Sequence, residues 1–241
     1  MGCDGITLSA KALLFDYGGT LDSGGEHWFR VLWRYFREEQ LGVAEEHYRQ
    51  AYVHAERWLG GVGVVAADCS FHRLLEMKID RHFEWLIGKG CLPQRSYRVE
   101  RLDILDKCYS FALHNLARSK VLLTSLKERC PLMLVSNFYG NLRCVLGEMG
   151  LDGFFELVVE SAVVGCRKPD LAIFRIVLDR SGYAPEDVVV VGDSLSNDII
   201  PASTLGMRSV WLRGEGWGDR YDAPDEAVVI RDLAELEGML K

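Results

Sequence analysis

The stretch that decides the fold is KALLFDYGGTLDS, residues 11–23. A short apolar run, Ala12–Phe15, ends in the carboxylate of Asp16, and the glycines Gly18 and Gly19 follow. An apolar run bounded by turn residues predicts a buried strand. Such a strand places Asp16 at its carboxyl end, where open α/β sheets bind ligands. Either Asp16 caps the loop, or it binds a ligand or a metal ion, because a buried carboxylate is costly unless it is paired.

The composition limits the classes of function. The chain has 241 residues, is 49% hydrophobic and 26% charged, and carries a formal net charge of -7. This charge argues against nonspecific nucleic-acid binding, which requires basic surface. No apolar run is long enough to span a bilayer, and the first residues, MGCDGITLSAK, lack the features of a signal peptide. The seven cysteines contain no CxxC pair. We therefore expect a cytoplasmic protein with no membrane or nucleic-acid partner.

Residues 24–118 contain no convincing buried strand, and we expect helices there. His27–Gln40 places large apolar side chains on one stripe. Ser70 is a candidate N-cap for a second helix that ends at Gly88, and a third is expected over Val99–Leu116. Between the first two lies a glycine-rich turn, residues 60–63. The segment therefore predicts an inserted all-helical domain.

From Lys120 onward the chain alternates between helices and strands. The expected strands are Leu132–Val135, Leu157–Val159, Val188–Val191, Ser209–Leu212 and Ala227–Ile230. The expected helices are Val121–Glu128, Asn141–Met149, Asp170–Ser181 and a terminal helix capped by Asp232. Continuous apolar strands that alternate with helices indicate a parallel sheet covered on both faces. The fold class is α/β, with a doubly wound Rossmann-like core formed by residues 1–23 and 119–241 and a helical cap formed by residues 24–118.

Polar groups follow four of these strands or their loops. They are Asp16, the pair Ser136-Asn137, Lys168 with Pro169, and GDSLSND at residues 192–198. In a parallel sheet these groups meet in one crevice. Convergent carboxylates repel one another and favour a bound cation. Oxygen ligands without His or Cys indicate Mg²⁺ before Ca²⁺ or Mn²⁺. A lysine beside them suits a phosphate dianion, and a carboxylate free to attack would allow an aspartyl-phosphate route.

These four segments, FDYGGTLD, LVSN, RKPD and VVVVGDSLSND, resemble the motifs of the haloacid dehalogenase superfamily of hydrolases. They occur in that family's order, and the helical segment between the first two resembles the family's α-helical cap. The resemblance covers the core, about residues 10–24 and 119–241. It implies a hydrolase that acts on a small phosphorylated metabolite with Mg²⁺ as cofactor.

The resemblance also implies roles for the catalytic groups. Asp16 would be the nucleophile that becomes phosphorylated. Ser136 would hydrogen-bond the transferring phosphoryl group, with help from the backbone of Asn137. Lys168 would neutralise the nucleophile and the phosphate, and the backbone of Gly19 would lie beside the substrate.

The metal ligands are implied in the same way. Asp16 and Asp193 would bind Mg²⁺, and Gly18 would contribute its backbone carbonyl. Asp198 would bind the ion or orient its shell through water. A lysine before a helix and an ordinary helical aspartate are the alternative interpretations for Lys168 and Asp198.

Gly18 departs from the family's pattern. Phosphatases of this family carry a second Asp there, which protonates the leaving oxygen and later activates water. Without it the chain could be a phosphohydrolase that borrows another acid, with Asp22, Glu26 and His27 close along the chain, or one whose substrate has a good leaving group. It could instead be a regulatory protein that only binds phosphate and metal.

Dehalogenating and phosphonate-cleaving relatives are the third alternative, since both lack the second Asp. The intact Gly192-Asp193 pair argues against the dehalogenating branch, which needs no Mg²⁺. The phosphonate-cleaving branch relies on a cap lysine for a Schiff base, for which Lys78 and Lys89 are candidates. The expected hinge at Gly24-Gly25 would allow the cap to move.

Overall fold

The computed structural model describes residues 8–214, 224 and 227–240. The N-terminal residues that bear on a signal peptide lie outside these ranges. The strands are β1 (Ala12–Phe15), β2 (Leu132–Ser136), β3 (Leu157–Glu160), β4 (Val188–Gly192), β5 (Arg208–Leu212) and β6 (Val228–Ile230). The helices are α1 (Trp28–Glu38), α2 (Glu45–Leu59), α3 (Phe71–Gly88), α4 (Arg98–Lys127), α5 (Leu142–Glu148), α6 (Ser161–Val164), α7 (Leu171–Ser181), α8 (Ile200–Thr204) and α9 (Leu236–Met239).

The six strands form one parallel sheet in the order β3-β2-β1-β4-β5-β6. β1 lies between β2 and β4, with Leu13 opposite both Leu132 and Val189. The strand that precedes Asp16 is therefore central, and the carboxyl ends of β1, β2 and β4 share one edge. The predicted α/β fold with a Rossmann-like sheet is confirmed.

Alternate residues of β1 serve two hydrophobic cores. Leu13 and Phe15 belong to the larger core, which continues into the helices between β1 and β2. Leu14 lies on the other face, where it joins a second core with Ile173 and Phe174 of α7. Because both faces of β1 are covered, Asp16 is held at a fixed position at the end of a fully buried strand.

Helices α1 to α3 and the first half of α4 form the expected helical segment. The Ser70 hydroxyl accepts a hydrogen bond from Arg73 N, so the predicted N-cap of α3 is confirmed. α2 was not predicted from the sequence. Its inward side chains include Tyr48, Tyr52 and Ala55, which are buried.

The expected break between the helices Val99–Leu116 and Val121–Glu128 is wrong. α4 is one helix of 30 residues, Arg98–Lys127. It contains no glycine or proline that could end it, and buried residues recur along its whole length. The domain boundary placed at residues 118/119 therefore falls inside a continuous helix, which ties the helical segment to the core.

The C-terminal elements follow the sequence closely. Asp232 accepts a hydrogen bond from Ala234 N, and Glu235 completes a capping box at the turn that leads into α9.

In the part of the chain that the structure describes, no helix combines the length and the apolar character needed to cross a bilayer.

Candidate active site

Asp16 begins the loop that follows β1. It is buried, and its backbone N–H donates to the carbonyl of Val191 on β4 at 2.9 Å. Gly19 has a φ of +98°, and a Cβ at this position would lie 2.5 Å from the carboxylate oxygens of Asp193. A glycine is therefore required at position 19, because it lets the first loop approach the residue that follows β4.

Thr20 joins these two loops, and the sequence analysis assigned it no role. Its hydroxyl lies 2.9 Å from Asp193 Oδ1 and accepts a hydrogen bond from the Asp193 N–H at 3.0 Å. It also lies 3.4 Å from Asp16 Oδ2. The backbone N–H of Gly19, which was expected beside the substrate, donates to Asp22 Oδ1 at 2.8 Å.

Lys168 lies at the centre of the site. Its Nζ is 2.7 Å from Asp16 Oδ1 and 2.5 Å from Asp198 Oδ1, and it donates to the Val135 carbonyl at 3.3 Å. The side chain is buried. Burial alone would lower the pKa of Lys168, but the carboxylates of Asp16 and Asp198 raise it above its ordinary value. Lys168 is therefore an ammonium ion that uses all three donors inside the site.

The backbone of Lys168 is fixed by Asn137, which lies just after β2. Asn137 Nδ2 donates to the Lys168 carbonyl at 3.0 Å, and the Lys168 N–H donates to Asn137 Oδ1 at 2.9 Å. The side-chain amide of Asn137 thus links the ends of two motifs, and the expected contact of its backbone with the phosphoryl group stays a prediction.

Three carboxylates converge around this lysine. Asp16, Asp193 and Asp198 each place an oxygen within 4.8 Å of the others. Burial raises the pKa of Asp193 well above its ordinary value, and the negative charges of Asp16 and Asp198 add to this. Burial likewise raises the pKa of Asp198 to about 6, against the opposing effect of Lys168. The site therefore contains three acidic side chains and only one ammonium group to balance them.

This donor set fits a hard cation. It consists of carboxylate oxygens without His or Cys, which is the set that Mg²⁺ prefers. Asp198 has less free capacity than the other two, because its Oδ1 pairs with Lys168 and its Oδ2 accepts from Ser194 N at 3.1 Å. Asp198 is therefore suited to orienting Lys168 and the loop after β4.

These groups open on a cavity of about 340 Å³ between the sheet and the cap helices. We call the part formed by the ends of β1, β2 and β4 and by Lys168 the floor; it comprises Asp16, Gly18, Ser136, Lys168, Asp193 and Asp198. We call the part contributed by the cap segment the roof; it comprises His27, Tyr52 and Glu56. The remaining lining residues form the rim and are Asn137, Arg167, Ser194, Ser196 and Asn197.

Gly18 leaves open space in the floor. No atom lies within 4 Å of the position that a Cβ would take, and its φ lies outside the range that disfavours side chains. The Cβ of a larger residue at this position would therefore meet no neighbour in the described part of the chain.

The three acids suggested near Gly18 are arranged differently from one another. Asp22 is buried beneath the loop, accepts from Trp28 Nε1 at 2.7 Å, and does not line the cavity; burial raises its pKa to about 7. Glu26 pairs with Arg34 at 2.7 Å. Of the three, only His27 reaches the cavity. Its Nδ1 accepts from Phe29 N, and burial lowers its pKa to about 4.

The roof is attached to the floor through a buried polar cluster of Glu56, Lys78 and Tyr139. Lys78 Nζ lies 2.6 Å from Glu56 Oε1 and donates to the Tyr139 hydroxyl at 3.2 Å, and that hydroxyl donates to Glu56 Oε2 at 2.5 Å. Tyr139 belongs to the loop after β2, so the cluster links α2 and α3 to the core. The sequence analysis did not identify Glu56 or Tyr139, because neither lies in a motif.

The two lysines considered for a Schiff base do not suit that role. Burial alone would lower the pKa of Lys78, but Glu56 raises it above its ordinary value, so the amine keeps its proton. Lys89 is exposed at the C-terminal end of α3 and does not line the cavity. A Schiff base requires a neutral amine in the site.

Comparison with known proteins gives relatives that match part of this chain. The chain is 40% identical to the phosphoserine phosphatase of Thermus thermophilus over 88 residues. This alignment covers 36% of this chain and 34% of that protein. It is 36% identical to the glyceraldehyde 3-phosphate phosphatase of Methanocaldococcus jannaschii over 93 residues. This alignment covers 39% of this chain and 41% of that protein. The matches thus span only about a third to two fifths of these relatives.

The whole fold is matched by a solved structure. The HAD-hydrolase YfnB from Bacillus subtilis, bound to magnesium, aligns over 96% of this chain and 98% of its own with a TM-score of 0.59 and 18% identity. A family model described as haloacid dehalogenase-like hydrolase matches residues 10–206, well over half of the chain. The chain therefore belongs to the haloacid dehalogenase-like hydrolases.

Proposed function

We propose that this protein is a Mg²⁺-dependent phosphohydrolase that works through an aspartyl-phosphate at Asp16. The observation that carries the proposal is the floor itself: Lys168 bridges Asp16 and Asp198 at 2.7 and 2.5 Å, and Asp193 completes the carboxylate cluster. Phosphoryl transfer depends mainly on positioning and on neutralising charge. This arrangement holds the nucleophile and a fixed cation side by side.

Each floor residue has a distinct task in this proposal. Asp16 attacks the phosphorus, and Lys168 holds that carboxylate while its positive charge offsets the charge of the phosphoryl oxygens nearby. Ser136, at the end of β2, donates a hydrogen bond to the phosphoryl group. Asp16, Asp193, Asp198 and the carbonyl of Gly18 would hold Mg²⁺, which when bound neutralises the negative charge of the phosphoryl group.

The substrate in this proposal is a small phosphorylated metabolite. A cavity of about 340 Å³ suits a small molecule. The names of the relatives, a phosphoserine phosphatase and a glyceraldehyde 3-phosphate phosphatase, support this size and charge. A cytoplasmic location remains a prediction from the sequence.

The test is phosphate release from p-nitrophenyl phosphate and acetyl phosphate with and without Mg²⁺. Asp16→Asn should lower kcat by more than about 10³-fold, because it removes the nucleophile. The matched control is Asp179→Asn, an exposed carboxylate on α7 outside the cavity, which should leave kcat unchanged. Turnover that survives in Asp16→Asn would refute the aspartyl-phosphate route.

A second candidate function is favoured by one observation, the glycine at position 18. A protein that kept the site only to bind phosphate and metal would show no turnover in its natural form. Because the Cβ position of Gly18 is open and its φ does not disfavour a side chain, Gly18→Asp is a suitable test variant. Activity gained only in Gly18→Asp would support a binding or regulatory role. Halide release, or phosphate release from a phosphonate, would be needed to revive the third alternative.

A further inference from the structure

Apart from the carboxylates proposed to hold Mg²⁺, the side chains that line the cavity in the described part of the chain include no group suited to protonating a leaving oxygen. Gly18 has no side chain. Lys168 directs all three donors at Asp16, Asp198 and Val135. On the roof, Glu56 accepts from Tyr139 and pairs with Lys78, which lowers its pKa, so it is an ionised carboxylate at neutral pH. The floor and the roof therefore offer acceptors and fixed cations.

The two other roof residues are no better as acids. His27 accepts from Phe29 N through Nδ1, and burial lowers its pKa to about 4, so the ring is neutral at physiological pH. Burial raises the pKa of Tyr52 well above its ordinary value. A neutral imidazole and a phenol of raised pKa are both far weaker acids than a carboxylic acid. The rim adds two serine hydroxyls, two side-chain amides and Arg167, which do not supply a proton at neutral pH.

Arg167 gives the rim a positive charge. It is exposed, lines the cavity and directly precedes Lys168, whose backbone is fixed by the two hydrogen bonds to Asn137. Among residues 8–214, 224 and 227–240 no carboxylate oxygen lies within 4.0 Å of the Arg167 guanidinium. Its guanidinium is thus free to bind an anionic group that leaves the phosphorus, and the planar fork of an arginine matches a carboxylate.

We propose that the substrate is an acyl phosphate, whose carboxylate departs without a proton and is received by Arg167. This inference rests on the proposed function, since it uses Asp16 as the nucleophile. For an acyl phosphate, the missing acidic side chain at Gly18 lowers the rate of the first step little. An alkyl phosphate must gain a proton on its leaving oxygen, whereas a carboxylate leaves as a stable anion.

The bonds and charges balance without an acid in the first step. An oxygen of Asp16 forms a bond to phosphorus, the bond from phosphorus to the acyl oxygen breaks, and its electron pair leaves on the carboxylate. In the second step water attacks phosphorus, the bond to Asp16 breaks, and the water proton passes to solvent or to the phosphate product. No oxidant, reductant or further reactant is needed.

The first test compares leaving groups. We expect kcat/KM to fall from acetyl phosphate through p-nitrophenyl phosphate and phenyl phosphate to glycerol 3-phosphate, by about 10²-fold or more overall, because no acid compensates for a poor leaving group. Gly18→Asp should raise the rate for glycerol 3-phosphate most and flatten the series. Equal rates for acetyl phosphate and glycerol 3-phosphate in the natural protein would overturn the inference.

The second test concerns Arg167. Arg167→Gln should lower kcat/KM for acetyl phosphate about 10-fold or more while affecting p-nitrophenyl phosphate less, and Arg167→Lys should restore part of the loss. Arg175→Gln, an exposed arginine on α7 outside the cavity, is the matched control and should change neither. An equal loss for both substrates would overturn the role of Arg167 as the receiver of the carboxylate.

Failure of this inference can be told apart from failure of the proposed function. Turnover of phenyl and alkyl phosphates that is lost in Asp16→Asn, with no advantage for acetyl phosphate, would refute the acyl phosphate and keep the phosphohydrolase. Absence of Asp16-dependent turnover with every substrate in the series would refute both.

Discussion

The floor and the roof of the cavity are built on different principles. The floor concentrates charge: Asp16, Asp193 and Asp198 converge within 4.8 Å, and the ammonium of Lys168 lies among them. The roof balances its charge, because Glu56 is already paired with Lys78. In the proposed function the floor takes up a cation and a phosphate, whereas the charged groups of the roof are already paired with each other. The proposal therefore assigns the chemistry to the floor and the shaping of the space around the leaving group to the roof.

The largest expected effect comes from removing the cation of the floor. Lys168→Met leaves Asp16 and Asp198 buried without a counter-ion, and we expect the free energy of unfolding to fall by about 3–5 kcal/mol in the absence of Mg²⁺. Urea denaturation measures this. The control is Lys11→Met, which breaks the ion pair with Asp187 on the surface and should change little. Similar small losses in both variants would mean that the floor is not strained by its acidic groups.

The two glycines of the floor provide the next contrast. Gly19→Ala places a side chain at a φ of +98°, against the Asp193 carboxylate, and should lower the free energy of unfolding by about 3 kcal/mol and abolish activity. Gly18→Ala meets no atom within 4 Å and should be nearly neutral for stability. Equal effects at the two positions, measured by denaturation and by phosphate release, would contradict the loop geometry.

How far the sequence could anticipate this site differs between floor and roof. Most floor residues follow short apolar strands, so their positions along the chain mark the edge of the sheet. All six were named as candidate site residues from the sequence alone. Glu56, Tyr52 and Tyr139 lie on a helix or in a loop with no motif, and α2 itself was missed. Which face of a cap helix points into the cavity depends on packing between distant segments, which a linear pattern does not specify.

The domain boundary within α4 is a second feature that the sequence analysis did not place correctly. The expected helices were each correct in type, but the sequence analysis placed a break between them at residues 117–120. The sequence from Arg98 to Lys127 contains no residue that ends a helix, and this local signal was the better guide. The doubly wound sheet, in contrast, followed directly from the alternation of apolar strands and helices.

The interior of the cap contains a buried histidine whose pKa differs between the folded and the unfolded chain. His82 is buried and bonds to the Tyr48 hydroxyl through Nδ1. Burial lowers its pKa from 6.5 to about 3, with a further contribution from Lys78, so the unfolded chain takes up the proton first. Stability should therefore fall as the pH drops from about 6.5 towards 3.

His82→Gln should remove this dependence. Between pH 6.5 and 4.5 the natural protein should lose about 2 kcal/mol more than His82→Gln, as measured by urea denaturation at each pH. His54→Gln, an exposed histidine of α2, is the control and should keep the dependence of the natural protein. A parallel loss in the natural protein and in His82→Gln would show that His82 is not buried in its neutral form.

The smallest expected effect concerns the link between roof and floor. Tyr139→Phe removes the hydroxyl that donates to Glu56 and accepts from Lys78 but leaves their ion pair in place. We expect a loss of about 1 kcal/mol in the free energy of unfolding and a change in KM larger than the change in kcat. A fall in kcat alone would place Tyr139 in the chemistry of the floor.

The most direct test of the central claim is to trap the phosphoryl group on the protein. The protein is mixed with acetyl phosphate and Mg²⁺, quenched in acid, digested, and analysed by mass spectrometry. The account predicts one added phosphoryl group on the peptide that contains Asp16, and none in Asp16→Asn under the same conditions. Turnover without a phosphorylated peptide, or a phosphoryl group on another residue that persists in Asp16→Asn, would contradict it.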